Sequence, residues 1–479
     1  MVLSKEPAMD RQGRTYRHGR SLTVFTASIL QFLSLSGGLS AAEPVSISEL
    51  VTEQRVFSVR CRLQVSGTIE TSSQPAAAAA AVANAKKPSG LKLKVDGKFS
   101  FLERRLAAGG QDADAFRALR RYQLAEADIT IDRQRTVNQL PANSRQIVAE
   151  GTATGIRVWS PDTRMSYLAT ELLRSPGDSL ALAALLPTTQ VEQGTSWEPH
   201  YWTLPMLTGI EAVSKSSLKC SVSKIDDQYV IVKISGGVEG ATLGAFANIE
   251  VDGQIAFDRK ANHIRQAKIT QTEKRTVGAV SPGMNVTATV YVDRQISGVK
   301  GGLTDLAIDA IPISPEAEQL ALGFSCPWNL TFACDRDWHV FHQTKDVAVL
   351  RYLRNGSLIA QCNVSPVPQA AAGSHTSEPQ FQSDIQTALG NQFRKIEKAE
   401  QIPTTDGRWL YRVTATGVAR NVPMHWFYYL CAAPDGRQVA FVYAVESKLV
   451  DQFGGQDIAQ VRSLQFLPAA TSTAARTIP

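Results

Sequence analysis

The stretch from Leu218 to Val292 constrains this chain more than any other part of it. Ala245, Ala247, Ile249 and Val251 share one parity, and Phe246, Asn248 and Glu250 take the other. Ala267 and Ile269 continue the alternation, and Val286, Ala288, Val290 and Val292 close it. A period of two sends successive side chains to opposite sides of an extended backbone, so one side is dry and the other wet. Strands of this kind bury their dry side only by pairing into an antiparallel sheet. Asp252-Gly253 is a turn signal with Ile255 and Phe257 after it, and it predicts a hairpin at that point.

The same grammar extends backwards. Phe57, Val59, Cys61 and Leu63 alternate with Ser58, Arg60 and Arg62, and Leu91, Leu93 and Val95 lead on to Phe99 and Phe101. Between them, residues 71–90 are low in complexity, with an alanine run from Ala76 to Ala81 between prolines, and read as a flexible insert. Asp112 to Tyr122 is expected as a short helix, and Ala125 to Val148 as further strands. Leu180, Leu182, Leu185 and Leu186 make Gly177–Leu186 a helix that Pro187 ends. Pro205 to Val213 reads as another short helix. Gln295 to Thr304, with Gly298, Gly301 and Gly302, is the expected domain boundary. Residues 43–300 are therefore expected as one antiparallel β domain, a curved sheet or half-barrel.

From residue 303 to 467 the pattern is α+β. Asn355-Gly356 turns one strand pair, Asp406-Gly407 leads into Trp409, and Pro434-Asp435-Gly436 turns another pair. Phe381, Ile385, Leu389, Phe393 and Ile396 draw one apolar stripe at helical spacing, which predicts a helix over all five. Leu449, Phe453, Ile458 and Val461 form a last helical region, and 468–479 read as a disordered tail.

The amino terminus carries Arg11, Arg14, Arg17 and Arg20, then a mildly apolar run from Ser21 to Leu35, then small residues to Ala42. That order predicts a secretory signal cleaved after Ala42, with Met1 or Met9 as the start. The chain is therefore expected to be periplasmic or secreted, with no membrane-spanning segment after cleavage. The whole chain carries +6; its first 42 residues hold five basic and two acidic groups, leaving +3 for the rest. So small a surplus argues against a nucleic-acid partner. In an exported chain the six cysteines can pair, with Cys326–Cys334 and Cys362–Cys431 as candidate disulfides, or stay as buried thiols.

Two resemblances add to this. Leu185-Leu186-Pro187 followed by Val191, Gly194, Trp197 and Pro199 resembles an element of β-rich exported bacterial proteins of planctomycete type, where a Trp plugs the end of a sheet. The order of the Trp338 strand, the Leu358–Ala360 strand, the Phe381–Ile396 helix, the Trp409–Val413 strand and the Phe441–Val445 strand resembles the PsbP-like fold. That second resemblance implies a non-enzymatic binding or assembly module. The long Ala/Gly/Ser loop at 366–379 and the four cysteines depart from it.

No nucleophile elbow, phosphate loop or zinc helix is present. His339 and His342, with Asp335 and Asp337 before them, are the best metal candidates, but in a regular strand an offset of three sends the imidazoles to opposite faces. His425 beside Trp426, Phe427, Tyr428 and Tyr429 is either a ligand platform or a packed sheet face. The expectation is a non-catalytic exported binding or assembly protein of the cell envelope, with no catalytic, cofactor or metal residues, that binds a protein or envelope component. The alternative is a carrier in which the curved sheet cups an apolar ligand or lipid against the Leu180–Leu186 helix.

Overall fold

Long strands set this architecture. A computed structural model describes residues 44–49, 54–70 and 90–468. Thirteen strands form one antiparallel sheet: β1 (Val56–Glu70), β2 (Leu91–Arg105), β3 (Arg117–Ile131), β4 (Gln134–Gln139), β5 (Gln146–Thr152), β6 (Gly155–Trp159), β7 (Ser196–Trp197), β8 (Ala212–Ser216), β9 (Lys219–Ile225), β10 (Tyr229–Thr242), β11 (Ala245–Asp258), β12 (His263–Arg275) and β13 (Gly283–Ile296). The order is β6-β5-β3-β2-β1-β13-β12-β11-β10-β9-β7, with β4 beside β3 and β8 beside β10. The path has two ends, so the sheet is open rather than a closed barrel. Its dry side holds α1 (Tyr167–Leu173), α2 (Ser179–Ala184) and α3 (Thr203–Thr208). Val59, Phe99, Tyr122, Val232, Ile249, Ile264 and Val292, from seven strands, share one core with Leu173, Leu182 and Leu207 of those helices. The sheet wraps around the helices because no other surface can dry so many alternating positions.

The chain then forms α4 (Asp305–Asp309) and α5 (Ala317–Leu320). They cover the other side of the first sheet at one end, over Leu102, Leu119, Val148 and Trp159. A small sheet joins β14 (Leu322–Cys326), β15 (Leu330–Cys334) and β23 (Gln465–Phe466). A seven-stranded sheet follows from β16 (Trp338–Gln343), β17 (Ala348–Arg354), β18 (Ser357–Val367), β19 (Phe393–Gln401), β20 (Trp409–Ala419), β21 (Val422–Ala432) and β22 (Gln438–Glu446), in the order β16-β17-β18-β22-β21-β20-β19. One face packs on the small sheet with α7 (Val450–Phe453) and α8 (Gln456–Arg462), the other on α6 (Glu378–Leu389). The architecture is mainly β, antiparallel and α+β, as the alternation predicts.

Three local expectations are corrected. Asp252-Gly253 is no turn: β11 runs straight through it, with Gly253 opposite both Ile234 and Ile269. Gly253 lies on the inward row, and a Cβ there would stand 2.6 Å from Ile269 Cδ1 and 2.8 Å from Lys268 O. Close approach, not φ freedom, is its reason. The turn comes later, where Asp258 Oδ1 accepts from Lys260 N at 3.0 Å and Ala261 N at 2.8 Å. Asp112–Tyr122 is a single 3-10 turn at Asp112–Ala115 that gives way to β3, since Ala118, Arg120 and Tyr122 alternate into the core. The stripe that begins at Phe381 stays helical only to Leu389; Gly390 ends it, and Phe393 and Ile396 belong to β19. The Asn355-Gly356 hairpin is present, with φ of 51° and 74° at the two residues. All six cysteines are free thiols, so neither candidate disulfide forms. The signal at 1–42 lies outside the described residues, as do the low-complexity insert (71–89) and the tail from 469 on. No described helix is long and apolar enough to cross a membrane.

Candidate functional site

The dry row of the first sheet is longer than the helices that cover it. On β1 it runs Phe57, Val59, Cys61, Leu63, Val65, and pairing sets Val65 opposite Val95 of β2 and Ala288 of β13. Phe57 and Val59 are buried under the helices, whereas Leu63, Val65, Leu93 and Val95 are only half-buried. These four, with Met206 and Leu207 of α3 and Met284, Val286 and Ala288 of β13, line an apolar mouth of ≈ 480 Å³. Its far rim is polar. Arg275 holds Glu273 at 2.5 Å, and Arg174 at the end of α1 holds Glu171 at 3.2 Å.

A buried ionic lattice fixes the closed end. Arg120 of β3 donates to both oxygens of Asp178, at 2.7 and 2.6 Å, and from Nε to Glu103 of β2 at 2.9 Å. Ser179 also donates to Glu103. Arg294 of β13 reaches Glu49 at 2.5 Å and Glu103 at 3.5 Å, and Arg105 reaches Glu49 at 3.3 Å. Three guanidiniums thus meet three carboxylates where water is excluded. Burial alone would raise the Glu103 carboxyl, but Arg120, Arg105 and Arg294 overcome it and hold it down at about 2. Because Asp178 also caps α2, accepting from Leu180 N at 2.9 Å, the lattice pins that helix across β2, β3 and β13.

A second cavity adjoins the mouth. It measures ≈ 630 Å³, lies between the first sheet and the β16–β17 end of the seven-stranded sheet, and shares Gly155, Ile156, Glu171, Arg174 and Leu243 with the mouth. Leu243 stands in the left-handed region at φ 51°, and its N–H donates to Glu211 at 3.1 Å. A leucine held there is a strained residue on the shared rim.

The residues singled out in the sequence distribute unevenly. His339 and Asp337 line this second cavity, while His342 is exposed. A bulge between Val340 and His342 sets His339 opposite Arg351 and His342 opposite Val349, positions of one parity, so the two imidazoles do not diverge as a regular strand requires. Burial, with Arg174 nearby, pulls His339 down to about 4; burial, with Asp335 and Glu211 nearby, pushes Asp337 up to about 6. Among the described residues no group of three or more His, Cys, Asp or Glu is placed to hold a metal. Trp197 is half-buried on the edge strand β7 and packs against the core: its indole N–H donates to Leu185 O at 3.0 Å, and Gly194 before it takes φ +89°. The aromatic strand β21 is packed on both faces, Phe427 and Tyr429 on one and Trp426 and Tyr428 on the other. His425 bonds Ser447 Oγ at 2.9 Å. Arg174 and Arg336 were not singled out in the sequence, and Leu63, Leu93, Val95, Val286 and Ala288 were read there only as strand alternation. The one available signal was that the β1 and β2 alternation outruns the apolar length of the helices.

No protein-family model and no curated protein matches the chain. Among solved structures, cyanobacterial PsbP (CyanoP) from Synechocystis sp. PCC 6803 is similar over 32% of this chain and 94% of its own, at 15% identity and a TM-score of 0.25. OpdQ of Pseudomonas aeruginosa is similar over 82% of this chain and 96% of its own, at 8% identity and a TM-score of 0.11. The outer membrane protein OprD of the same organism covers 85% and 97%, at 10% identity and 0.12. At these scores none of the likenesses carries an argument about fold or function.

Proposed function

We propose that this is an exported, non-catalytic binding protein whose ligand is apolar and lies in the mouth of the first sheet. One observation carries the reading: the inward row of β1, β2 and β13 continues past the helices as a half-buried apolar wall of a ≈ 480 Å³ cavity, whose other sides carry Glu171, Arg174, Gln271, Glu273 and Arg275. Ligand pockets are commonly ~300–1,000 Å³, apolar and edged by a few polar groups, and the mouth has that form. Leaving so large a dry surface open costs stability unless something covers it. The non-catalytic part of the reading draws on where the reactive side chains sit. The cysteines are free and mostly buried, and burial pushes the Cys220 and Cys431 thiols up to about 12, far from the thiolate a nucleophile needs.

The test is native mass spectrometry of the protein purified from its own envelope, followed by organic extraction. The expected result is a bound apolar molecule that extraction removes. Protein that is repeatedly empty, and that binds no apolar probe such as hexadecanol, refutes the reading.

A further inference from the structure

The second cavity combines apolar walls with a cluster of charged side chains. Arg157, Arg174, Arg336 and Arg354 line it, against the carboxylates of Glu171, Glu211 and Asp337. Most of these charges are answered locally. Arg157 holds Glu150 at 2.8 Å, Arg174 holds Glu171 at 3.2 Å and Glu211 at 4.0 Å. Arg336 differs. Its Nε donates to Leu320 O at 2.7 Å and its Nη2 to Val158 O at 2.8 Å. Among the described residues it forms no ion pair, and its Nη1 makes no hydrogen bond. A half-buried guanidinium with Glu150 and Asp335 near it but no carboxylate in direct contact is only partly compensated. Burial, with Arg157 and Arg174 beside it, outweighs the nearby Glu150 and Asp335 and pulls the Arg336 guanidinium down to about 10. An anion in the cavity would relieve both the burial and the crowding of like charges, and an arginine fork suits a planar or tetrahedral oxyanion.

Position completes the argument. Arg174 lines both cavities, so the cleft with its arginines adjoins the mouth at that side chain. We infer that the ligand is an amphiphile with an oxyanion head, a carboxylate or phosphate ester, seated at Arg336 and Arg174, while its hydrocarbon chain lies against Leu63, Val65, Leu93 and Val95. The inference rests on the apolar reading of the mouth and adds the chemistry of the head group.

The experiment titrates the delipidated protein with hexadecanoate, hexadecanol and inorganic phosphate by calorimetry. Hexadecanoate is expected to bind tighter than hexadecanol by about tenfold or more, the worth of one charge-assisted hydrogen bond. Arg336→Met is expected to remove that advantage and leave hexadecanol affinity unchanged. Arg336 also ties two carbonyls together, so Arg174→Gln serves as the second variant, with the same loss expected. Equal affinity for acid and alcohol in the unaltered protein overturns the head-group assignment and leaves the mouth reading standing. Full acid preference in both variants overturns it as well. Inorganic phosphate binding as tightly as hexadecanoate makes the cleft a site for a free anion and also overturns it. Binding of neither long-chain probe removes the mouth reading itself.

Discussion

Glu103→Gln tests the lattice that holds α2 over the sheet. The amide keeps the shape and an acceptor oxygen for Arg120 Nε, so the substitution removes charge and little else. It leaves Arg105, Arg120 and Arg294 facing Glu49 and Asp178 alone, in a site where Glu103 and Arg294 are 0% exposed. Breaking a buried pair from one side costs about 3–5 kcal/mol. The carboxyl's own titration gives a similar size: held at about 2 against an ordinary 4.5, ionised Glu103 contributes about 3 kcal/mol at neutral pH. Its folded value lies below its unfolded one, so this contribution is complete above about pH 4.5 and is lost as pH falls towards 2. With a urea slope of about 3 kcal/mol/M, the midpoint of the transition that unfolds the first sheet should fall by about 1 M at pH 7. At pH 3 the deficit should be less than half as large. Pairing Glu103→Leu with Arg120→Met should cost less than the two single losses summed, because the loss of their mutual contact is counted in both singles, even though Asp178 then loses Arg120. A midpoint shift under about 0.3 M at pH 7, or an equal shift at pH 3, would refute the claim that the lattice is held by charge.

Three further outcomes are expected. Gly253→Ala should destabilise by about 1–3 kcal/mol, because the new Cβ meets the Lys268 carbonyl at 2.8 Å; a neutral effect in urea unfolding would mean that β11 does turn there. Unfolding the oxidised, unreduced protein should expose six thiols to Ellman's reagent, and fewer would establish a disulfide. Val65→Lys and Leu93→Lys, at half-buried positions of the mouth, should abolish ligand retention in native mass spectrometry at a stability cost below about 1 kcal/mol, since a lysine stem can reach water from there.

Much of the fold was legible because side-chain parity is a local property. Ala245 to Val251 and Val286 to Val292 state their dry side without any knowledge of partners, and Asn355-Gly356 states its hairpin through two positive φ angles. Where a residue type serves two ends, the local reading chose wrongly. Asp252-Gly253 has the composition of a turn, but Gly253 is small because Ile269 and the Lys268 backbone crowd it from the neighbouring strand. Phe393 and Ile396 keep helical spacing with Phe381, yet Gly390 had already ended the helix and sheet pairing claimed them.

The candidate site was far less legible. Alternation, the apolar helices and the exclusion of known reactive motifs are written in the sequence, because each depends on neighbours within a few positions. Whether the dry face would be wholly covered depends on how far three short helices reach along strands of up to fifteen residues, and only packing decides that. The ionic lattice and the surroundings of Arg336 are likewise tertiary. Glu49 and Arg294 are 245 positions apart, and Arg336 and Val158 are 178 apart. An isolated arginine in a sequence does not reveal whether its counter-charge will arrive, since that is settled by which strands the fold lays side by side.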